Sequence, residues 1–452
     1  MHEILDLPAE TRAESLAGSG ITRRPATAVG EPLRAIDAGM SVTSGTVPQF
    51  TAVAHKLWRT FPRGLRRRAV HGMIGVLAPA ATPLDRLRPG PVVVGGLLST
   101  ASGLGEGARL CLDALRELGW NPGKADLSSS FLRPDLPDAI PGREAVDGQG
   151  GTLILHINGP YTPYAALRLG RSFLAGRRVI GNWVWELPRM GADWSRGLRH
   201  VHEIWVPTRF TANALPPDTN VPVKIVPYPV RPPAVTKDRA RFGLPADAFV
   251  VLTAFDMGSS YVRKNPRAAI AAFRKAFGDD PNTLLLLKVG HSADANWAMR
   301  DMESAIAGMS NVRVMQETLS RVEMAALVAS SDAVLSLHRA EGFGLVPAEA
   351  MLLGVPVVAT GWSGNMDFMT NDDSALVGYE LVPVYDPQGT YDVPDTSWAE
   401  ADVDEAAAWL VRLQADPLLR RSLSERARAA ASAKFSLAAY RAAVGDSLPE
   451  PG

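Results

Sequence analysis

The chain has 452 residues, 46% of them hydrophobic and 21% charged, which leaves room for two domains of ordinary size and excludes wholesale disorder. Lys plus Arg equal Asp plus Glu at 47 each, which argues against a general nucleic-acid binder but allows local patches. No uncharged apolar stretch reaches membrane-span length and MHEILDLPAETRAE lacks the form of a signal peptide, so the expected compartment is cytoplasmic.

Residues 1 to about 50 show no clear periodicity and read as a loosely packed extension. The segment HKLWRTFPRGLRRRAVHGMIGVLAP follows, with Arg59, Arg63, Arg66, Arg67 and Arg68 interleaved with Trp58, Phe61 and Leu65. A basic, aromatic-bearing, amphipathic stretch suits an anionic membrane surface, here the inner face of the plasma membrane. It suits equally a surface helix packed on the body, broken by Pro62 and Gly64. Apolar strands are then predicted at PVVVGGLL (91 to 98), TLILHIN (152 to 158), RRVIGNWVWE (177 to 186), HEIWVPT (202 to 208) and VKIVPYPV (223 to 230), with helix GARLCLDALRELG after the first. The lone Cys111 lies in that helical pattern and reads as buried packing.

Past the proline-rich junction PYPVRPPAV the grammar repeats: strand FVVLTAFD, helix NPRAAIAAFRKAF, strands TLLLLKVG and NVRVMQ, helix SRVEMAALVASS, strand SDAVLSLH. Helix PAEAMLL, starting at Pro347, strand GVPVVAT, strand GYELVPV and helices from about 403 to 447 complete it. Alternating strands and helices predict an α/β chain of two parallel-sheet domains with a cleft between them, where small-ligand sites concentrate. No HExxH or other metal spacing occurs among the eight histidines, and the DVD of 402 to 404 reads as an acidic helix start, so no metal site is assigned.

Four clusters follow strands and point at that cleft. Gly103, Gly105 and Gly107 in GLGEG could let backbone N–H groups approach an anion. Read with Ala108 and Asp126 they also fit a dinucleotide fingerprint, although STAS separates strand from first glycine. Arg263 and Lys264, before a helix start, suit a diphosphate. His156, Asn158, Trp185 and Glu186 could line a sugar-sized pocket, with His156 and Asn158 on one strand face. The fourth cluster is Glu341 and Glu349 in EGFGLVPAE, one on a loop after a strand and the other in the next helix, followed by the polar loop holding Gly364 and Asn365.

Together these residues resemble the retaining, nucleotide-sugar-dependent glycosyltransferases of the GT-B fold, family 4-like, in the E-x7-E group of polysaccharide and O-antigen mannosyl- and glucosyl-transferases. The resemblance covers about residues 91 to 447 and is most specific at Glu341 and Glu349, with RKNP at 263 to 266 and the glycine loop matching too. It implies two Rossmann-like domains facing across a cleft: a basic extension over 1–90, an acceptor domain over 91–234, a nucleotide-sugar domain over 235–435, and a C-terminal helix within 436–452 crossing back. By the same resemblance Glu341, Arg263 and Lys264 carry catalysis, Glu341 orienting the donor sugar and the two cations neutralising the diphosphate. Glu349 holds the ribose, backbone groups of Gly342, Phe343, Gly344, Leu345 and Val346 meet the phosphates with Gly105 and Gly107, and His156, Asn158, Trp185, Glu186 and Asn365 face the sugar or acceptor. No cofactor or metal is implied; the donor would be a UDP- or GDP-sugar and the acceptor a glycan or lipid-linked glycan of a bacterial cell-surface polysaccharide. The sequence departs from the pattern at Asn158, where many relatives carry histidine. An NAD-dependent oxidoreductase built on GLGEGA, or a carbohydrate-binding protein without chemistry, are the alternatives.

Overall fold

The computed structural model describes residues 72–131, Leu136, 149–290 and 296–451. The extension over 1–50 and the five arginines between 59 and 68 lie outside the described residues. Two six-stranded parallel sheets form the body. The first contains β1 (Val92–Gly96), β2 (Gly123–Asp126), β3 (Thr152–His156), β4 (Arg178–Asn182), β5 (Glu203–Val206) and β6 (Val223–Ile225), in the order β2-β1-β3-β4-β5-β6. The second contains β7 (Phe249–Asp256), β8 (Thr283–Gly290), β9 (Val312–Met315), β10 (Ala333–Ser336), β11 (Val357–Thr360) and β12 (Ala375–Val377), in the order β12-β11-β10-β7-β8-β9. An antiparallel hairpin of β13 (Tyr379–Pro383) and β14 (Ser397–Ala401) stands apart.

The apolar runs became central strands because both faces of a parallel sheet are covered: every residue of β1 and β3 is buried. Strand β2 has no apolar run to announce it; in GKAD only Ala125 is buried, and pairing with β1 from Val93↔Gly123 to Gly96↔Asp126 creates it. The predicted strand RRVIGNWVWE stops at Asn182. There the Trp183 indole folds over Gly181, where a Cβ would meet Nε1 at 2.7 Å, and the following residues turn towards the cleft.

Helix α1 (Gly103–Glu117) covers the first sheet, and α2 (Pro266–Phe277), α3 (Arg321–Ala329) and α4 (Leu345–Leu352) the second. Local chemistry sets their starts: Ser320 and Glu323 make a reciprocal capping box on α3, and Pro266 opens α2 after a left-handed Asn265. Helix α5 (Val403–Ala415) begins at Asp402, whose carboxylate accepts from the Asp404 and Glu405 N–H groups, so the DVD triplet serves as a cap. On β8, alternate residues enter different cores: Leu285, Leu287 and Val289 pack on one face, Leu284 and Leu286 on the other.

After α6 (Pro417–Lys434) the chain returns to the first domain as α7 (Leu437–Val444). Tyr440 hydroxyl donates to Cys111 Sγ at 3.3 Å, Trp120 Nε1 donates to the Pro449 carbonyl at 2.9 Å, and Tyr440, Val444 and Leu448 join the core around β1. Burial pushes the Cys111 thiol up to about 12, so it stays a neutral packing group.

In each sheet the strand order reverses once, between β1 and β3 and between β7 and β10. The crevice outside the strand C-termini at such a reversal is where open α/β sheets bind ligands. Residues from both reversals, Leu97, Ser99 and Asn158 with Asp256, Ser336 and Glu341, line one shared cleft of about 2110 Å³. That exceeds an ordinary single-ligand pocket, roughly 300–1,000 Å³, and leaves room for more than one ligand.

Candidate active site

Strand β10 ends at Ser336, and the loop after it turns at Gly344, whose φ of +102° favours glycine, before entering α4. The helix therefore starts at Leu345, two residues before the expected Pro347, and Gly344 takes the cap position. Pro347 in the first turn is tolerated because its missing N–H would have had no intrahelical acceptor. Glu341 is on the loop and Glu349 on α4, and both line the cleft with Gly342, Phe343, Gly344, Leu345 and Val346. The unpaired N–H groups of the first turn of α4 open on the same space.

Glu341 is fixed from three sides. Lys264 Nζ donates to its Oε1 at 2.5 Å, Arg263 lies 3.3 Å from the same oxygen, and its own N–H donates to Ser363 Oγ at 2.9 Å. Burial pushes its carboxyl up, but Lys264 and then Arg263 outweigh it and hold the group at about 2, so Glu341 is an anion at every physiological pH. Arg263 is only 2% exposed in its side chain and donates to the Ala340 carbonyl at 2.6 Å and the Ser259 carbonyl at 2.9 Å, with its guanidinium 5.4 Å over the Tyr391 ring. The more exposed Lys264 is the better placed of the two for a ligand anion.

Across the cleft stands Glu186, 3.9 Å from Arg263, accepting a hydrogen bond from the Tyr391 hydroxyl. Burial pushes its carboxyl above the ordinary range, against the pull of Arg263. Tyr391 comes from the loop between β13 and β14, which reaches the first domain: its ring packs 5.0 Å from Trp185, and Arg189 donates to the Pro394 carbonyl. Trp185 lines the cleft and donates from Nε1 to the Arg189 carbonyl at 3.0 Å. Asn158 lines it too; its side-chain oxygen accepts from Val184 N–H at 2.9 Å, and no described residue engages its amide nitrogen.

Glu349 faces the cleft yet is walled by protein, and no described residue hydrogen-bonds or ion-pairs with its carboxylate. Burial raises its carboxyl to about 8, and the nearby Glu106 carboxylate adds to the rise against Arg321. Those neighbours belong to an interdomain cluster in which Arg321, at the start of α3, meets Glu106 and Asp113 of α1 at 3.1 Å each.

Three expectations are corrected. Gly105 and Gly107 are buried inside α1 rather than on the cleft wall: a Cβ at Gly105 would sit 2.5 Å from the Leu97 and Thr100 carbonyl oxygens, and one at Gly107 2.8 Å from the Tyr228 ring. Their role is close packing, and only Gly103, of the three, lines the cleft. His156 is fully buried, stacked 6.4 Å from Tyr228, and burial lowers its imidazole to about 3; Asn158 lies past the end of β3, so the two do not share a strand face. Asn365 lies behind the cleft wall, fully buried between His338 Nε2 at 3.1 Å and the Thr360 carbonyl at 3.0 Å.

The sequence reading missed Tyr391, Ser363 and Arg321. Tyr391 lies in a Pro/Gly/Asp-rich loop without periodicity, and only folding brings it to Arg263. Ser363 carried one usable signal, its place in the polar loop after β11, and it adopts a strained φ of +82° to reach Glu341.

The family described as "Family 4 Glycosyltransferase in conflict systems" matches residues 208–435, just over half of the chain. Among curated relatives, a D-inositol 3-phosphate glycosyltransferase of Xylanimonas cellulosilytica is 29% identical over 184 residues, 40% of this chain and 41% of that one. The protein of the same name from Kineococcus radiotolerans is 29% identical over 237 residues, 49% of this chain and 50% of that one. The chain thus spans half or less of the length of these relatives. Among solved structures, Anabaena HepE in complex with UDP and glucose superposes with a TM-score of 0.55 at 14% identity, covering 79% of this chain and 99% of that one. Sucrose-phosphate synthase from Thermosynechococcus elongatus superposes with a TM-score of 0.53 at 18% identity, covering 78% and 96%. With two facing Rossmann-like domains and both glutamates on one cleft, the chain is a GT-B protein and belongs to the family 4 glycosyltransferases, in the group described from conflict systems.

Proposed function

We propose that this protein transfers a hexose from a nucleoside-diphosphate sugar, a UDP- or GDP-sugar, to a glycan or lipid-linked acceptor, with retention and without a metal or cofactor, in bacterial cell-surface polysaccharide synthesis. One observation carries the reading: Glu341, locked as an anion by Lys264 and Arg263, shares the reversal point of the second sheet with an unengaged Glu349 and the open first turn of α4. An ionised carboxylate can only accept hydrogen bonds, which suits Glu341 to holding sugar hydroxyls beside the carbon being transferred. Charge developing on a departing diphosphate would be met by Lys264 and the helix N–H groups, the kind of preorganised stabilisation that contributes most to such a transfer. Arg263, its donors already engaged, acts chiefly by fixing Glu341. The acceptor would approach from the first-domain wall of Asn158, Trp185 and Glu186. The basic segment at Arg59 to Arg68 would rest this wall's domain on an anionic membrane; among the described residues no helix is long and apolar enough to cross one.

The oxidoreductase reading is less favoured. Asp126, which it would place on a ribose, already accepts from Ser99 Oγ at 2.5 Å and Ser128 N–H at 2.9 Å, and two of its three glycines are packed. Melting curves against UDP, GDP, ADP, dTDP and NAD, with a sugar-transfer assay on wild type and Glu341→Gln, test the proposal. Stabilisation by a nucleoside diphosphate, transfer by wild type and loss of turnover with nucleotide affinity kept in the variant are expected. Stabilisation by NAD alone would overturn the reading, and nucleotide binding without any transfer would leave only a sugar-nucleotide binding protein.

A further inference from the structure

Lys288 is a buried cation inside the apolar run TLLLLKVG. Strand alternation places Leu284, Leu286 and Lys288 on one face of β8, with Ala254 of β7 directly beside Lys288 in register. Deeper on that face Leu286 is sealed in the core shared with Leu327 of α3 and Met351 of α4. At the strand's C-terminal rim the face opens, and Lys288 lines the cleft with Leu319, Met324, Leu345 and Val346. Glu349 follows Leu345 by one turn on α4, so the ribose-binding carboxylate of the proposed function borders the same compartment.

Lysine is rarely buried without a partner, yet Lys288 is 8% exposed. Among the described residues its ammonium donates one long bond, 3.4 Å to the Val289 carbonyl, and no carboxylate lies within ion-pair distance. Burial lowers its affinity for the proton, opposed from further off by Asp256 and Glu317. Apolar side chains around a buried charged donor, beside a group suited to a ribose and with the neighbouring Arg321 already paired to Glu106 and Asp113, have the make-up of a site for a flat heterocycle.

We propose that Lys288 selects the base of the nucleotide donor, donating to a carbonyl oxygen of uracil, thymine or guanine and discriminating against adenine. This rests on the nucleotide-sugar reading above. An ammonium has three donors and no acceptor. A base carbonyl pairs with it; at the position where guanine carries its carbonyl, adenine carries an amino group that is itself a donor, so a cation placed for the carbonyl faces like polarity and is left only the ring nitrogens as acceptors. Leaving a buried polar group unpaired rejects a ligand far more strongly than a misfit of shape.

Titration calorimetry of the full chain and of Lys288→Met with UDP, GDP, dTDP and ADP tests this. Wild type should bind at least one carbonyl-bearing nucleotide about tenfold or more tighter than ADP, the worth of one charge-assisted bond. In Lys288→Met, which keeps side-chain length and removes the charge, the preference should shrink to about threefold or less. An unchanged preference in the variant, or an equal loss for all four nucleotides as expected of a phosphate contact, would overturn the assignment while leaving the transferase reading intact. A wild type that binds ADP as tightly as the others overturns it without need of the variant, and binding of none of the four removes the donor reading itself.

Discussion

Replacing Glu349 by Gln should stabilise the empty protein at alkaline pH and abolish the pH dependence of its nucleotide affinity. The Glu349 carboxyl titrates at about 8 in the fold instead of the usual 4.5, through burial first and Glu106 second. With the folded value raised, the stability contributed by the neutral carboxyl is fully present below 4.5 and is lost as pH rises towards 8. At about 1.36 kcal/mol per pH unit that interval bounds the loss at about 5 kcal/mol. Part of that loss has already occurred at pH 5, so up to about 4 kcal/mol is expected between pH 5 and pH 9. For a cooperative unit of about 200 residues, this corresponds to a melting-temperature gain of up to about 10 °C for the variant over wild type at pH 9 relative to pH 5. A ribose whose hydroxyls donate to Glu349 needs the ionised form. Wild-type affinity for a nucleoside diphosphate should therefore rise by about fivefold from pH 7 to 8 and level at about tenfold by pH 9. The variant should be flat and weaker by one or two charge-assisted hydrogen bonds, about 1.5–3 kcal/mol each. Scanning fluorimetry at pH 5, 7 and 9 and calorimetry at pH 7, 8 and 9 read both effects; parallel pH profiles for the two proteins would refute the argument.

Gly342→Ala should strain the domain contact, because a Cβ there would sit 2.4 Å from Val184 Cγ2 and 3.0 Å from the Trp185 carbonyl oxygen while the Gly342 carbonyl accepts from Thr208 Oγ at 2.8 Å. A loss of about 1–3 kcal/mol in urea unfolding, with lowered transfer, is expected, and wild-type stability would contradict the packing account. Replacing Arg66, Arg67 and Arg68 with Gln should release the protein from liposomes containing anionic lipid, by about 1 kcal/mol per charge. Flotation equal to wild type would exclude that segment as the membrane contact.

Much of this molecule is written locally. The runs FVVLTAFD and TLLLLKVG became β7 and β8 residue for residue, because strands buried on both faces need little besides β-compatible apolar side chains. Ser320 with Glu323, Asp402 and Pro266 mark helix starts through groups one turn apart, which a linear reading can see. The pairing of Glu341 and Glu349 around a loop-to-helix turn was equally legible, as were the cations at 263 and 264.

Tertiary structure decided what those groups do. The GLGEG stretch has the composition of an anion-binding loop, but Gly105 is required by carbonyl oxygens at 2.5 Å and Gly107 by the Tyr228 ring, neighbours that become adjacent only when the chain folds. His156 and Asn365 have the chemistry of ligand contacts and were turned into the interior. Arg263 and Lys264 are equal cations in sequence; burial and the Ala340 and Ser259 carbonyls made one a brace, while the other kept an exposed edge on the cleft. Strand periodicity determined that residue 288 would share a face with Leu286, but that this face opens into the cleft at its rim depended on where α3 and α4 begin. Sequence determines which elements form because hydrogen bonding and side-chain alternation act over a few residues. Which polar group is left facing a ligand depends on distant parts of the chain packing over all the others.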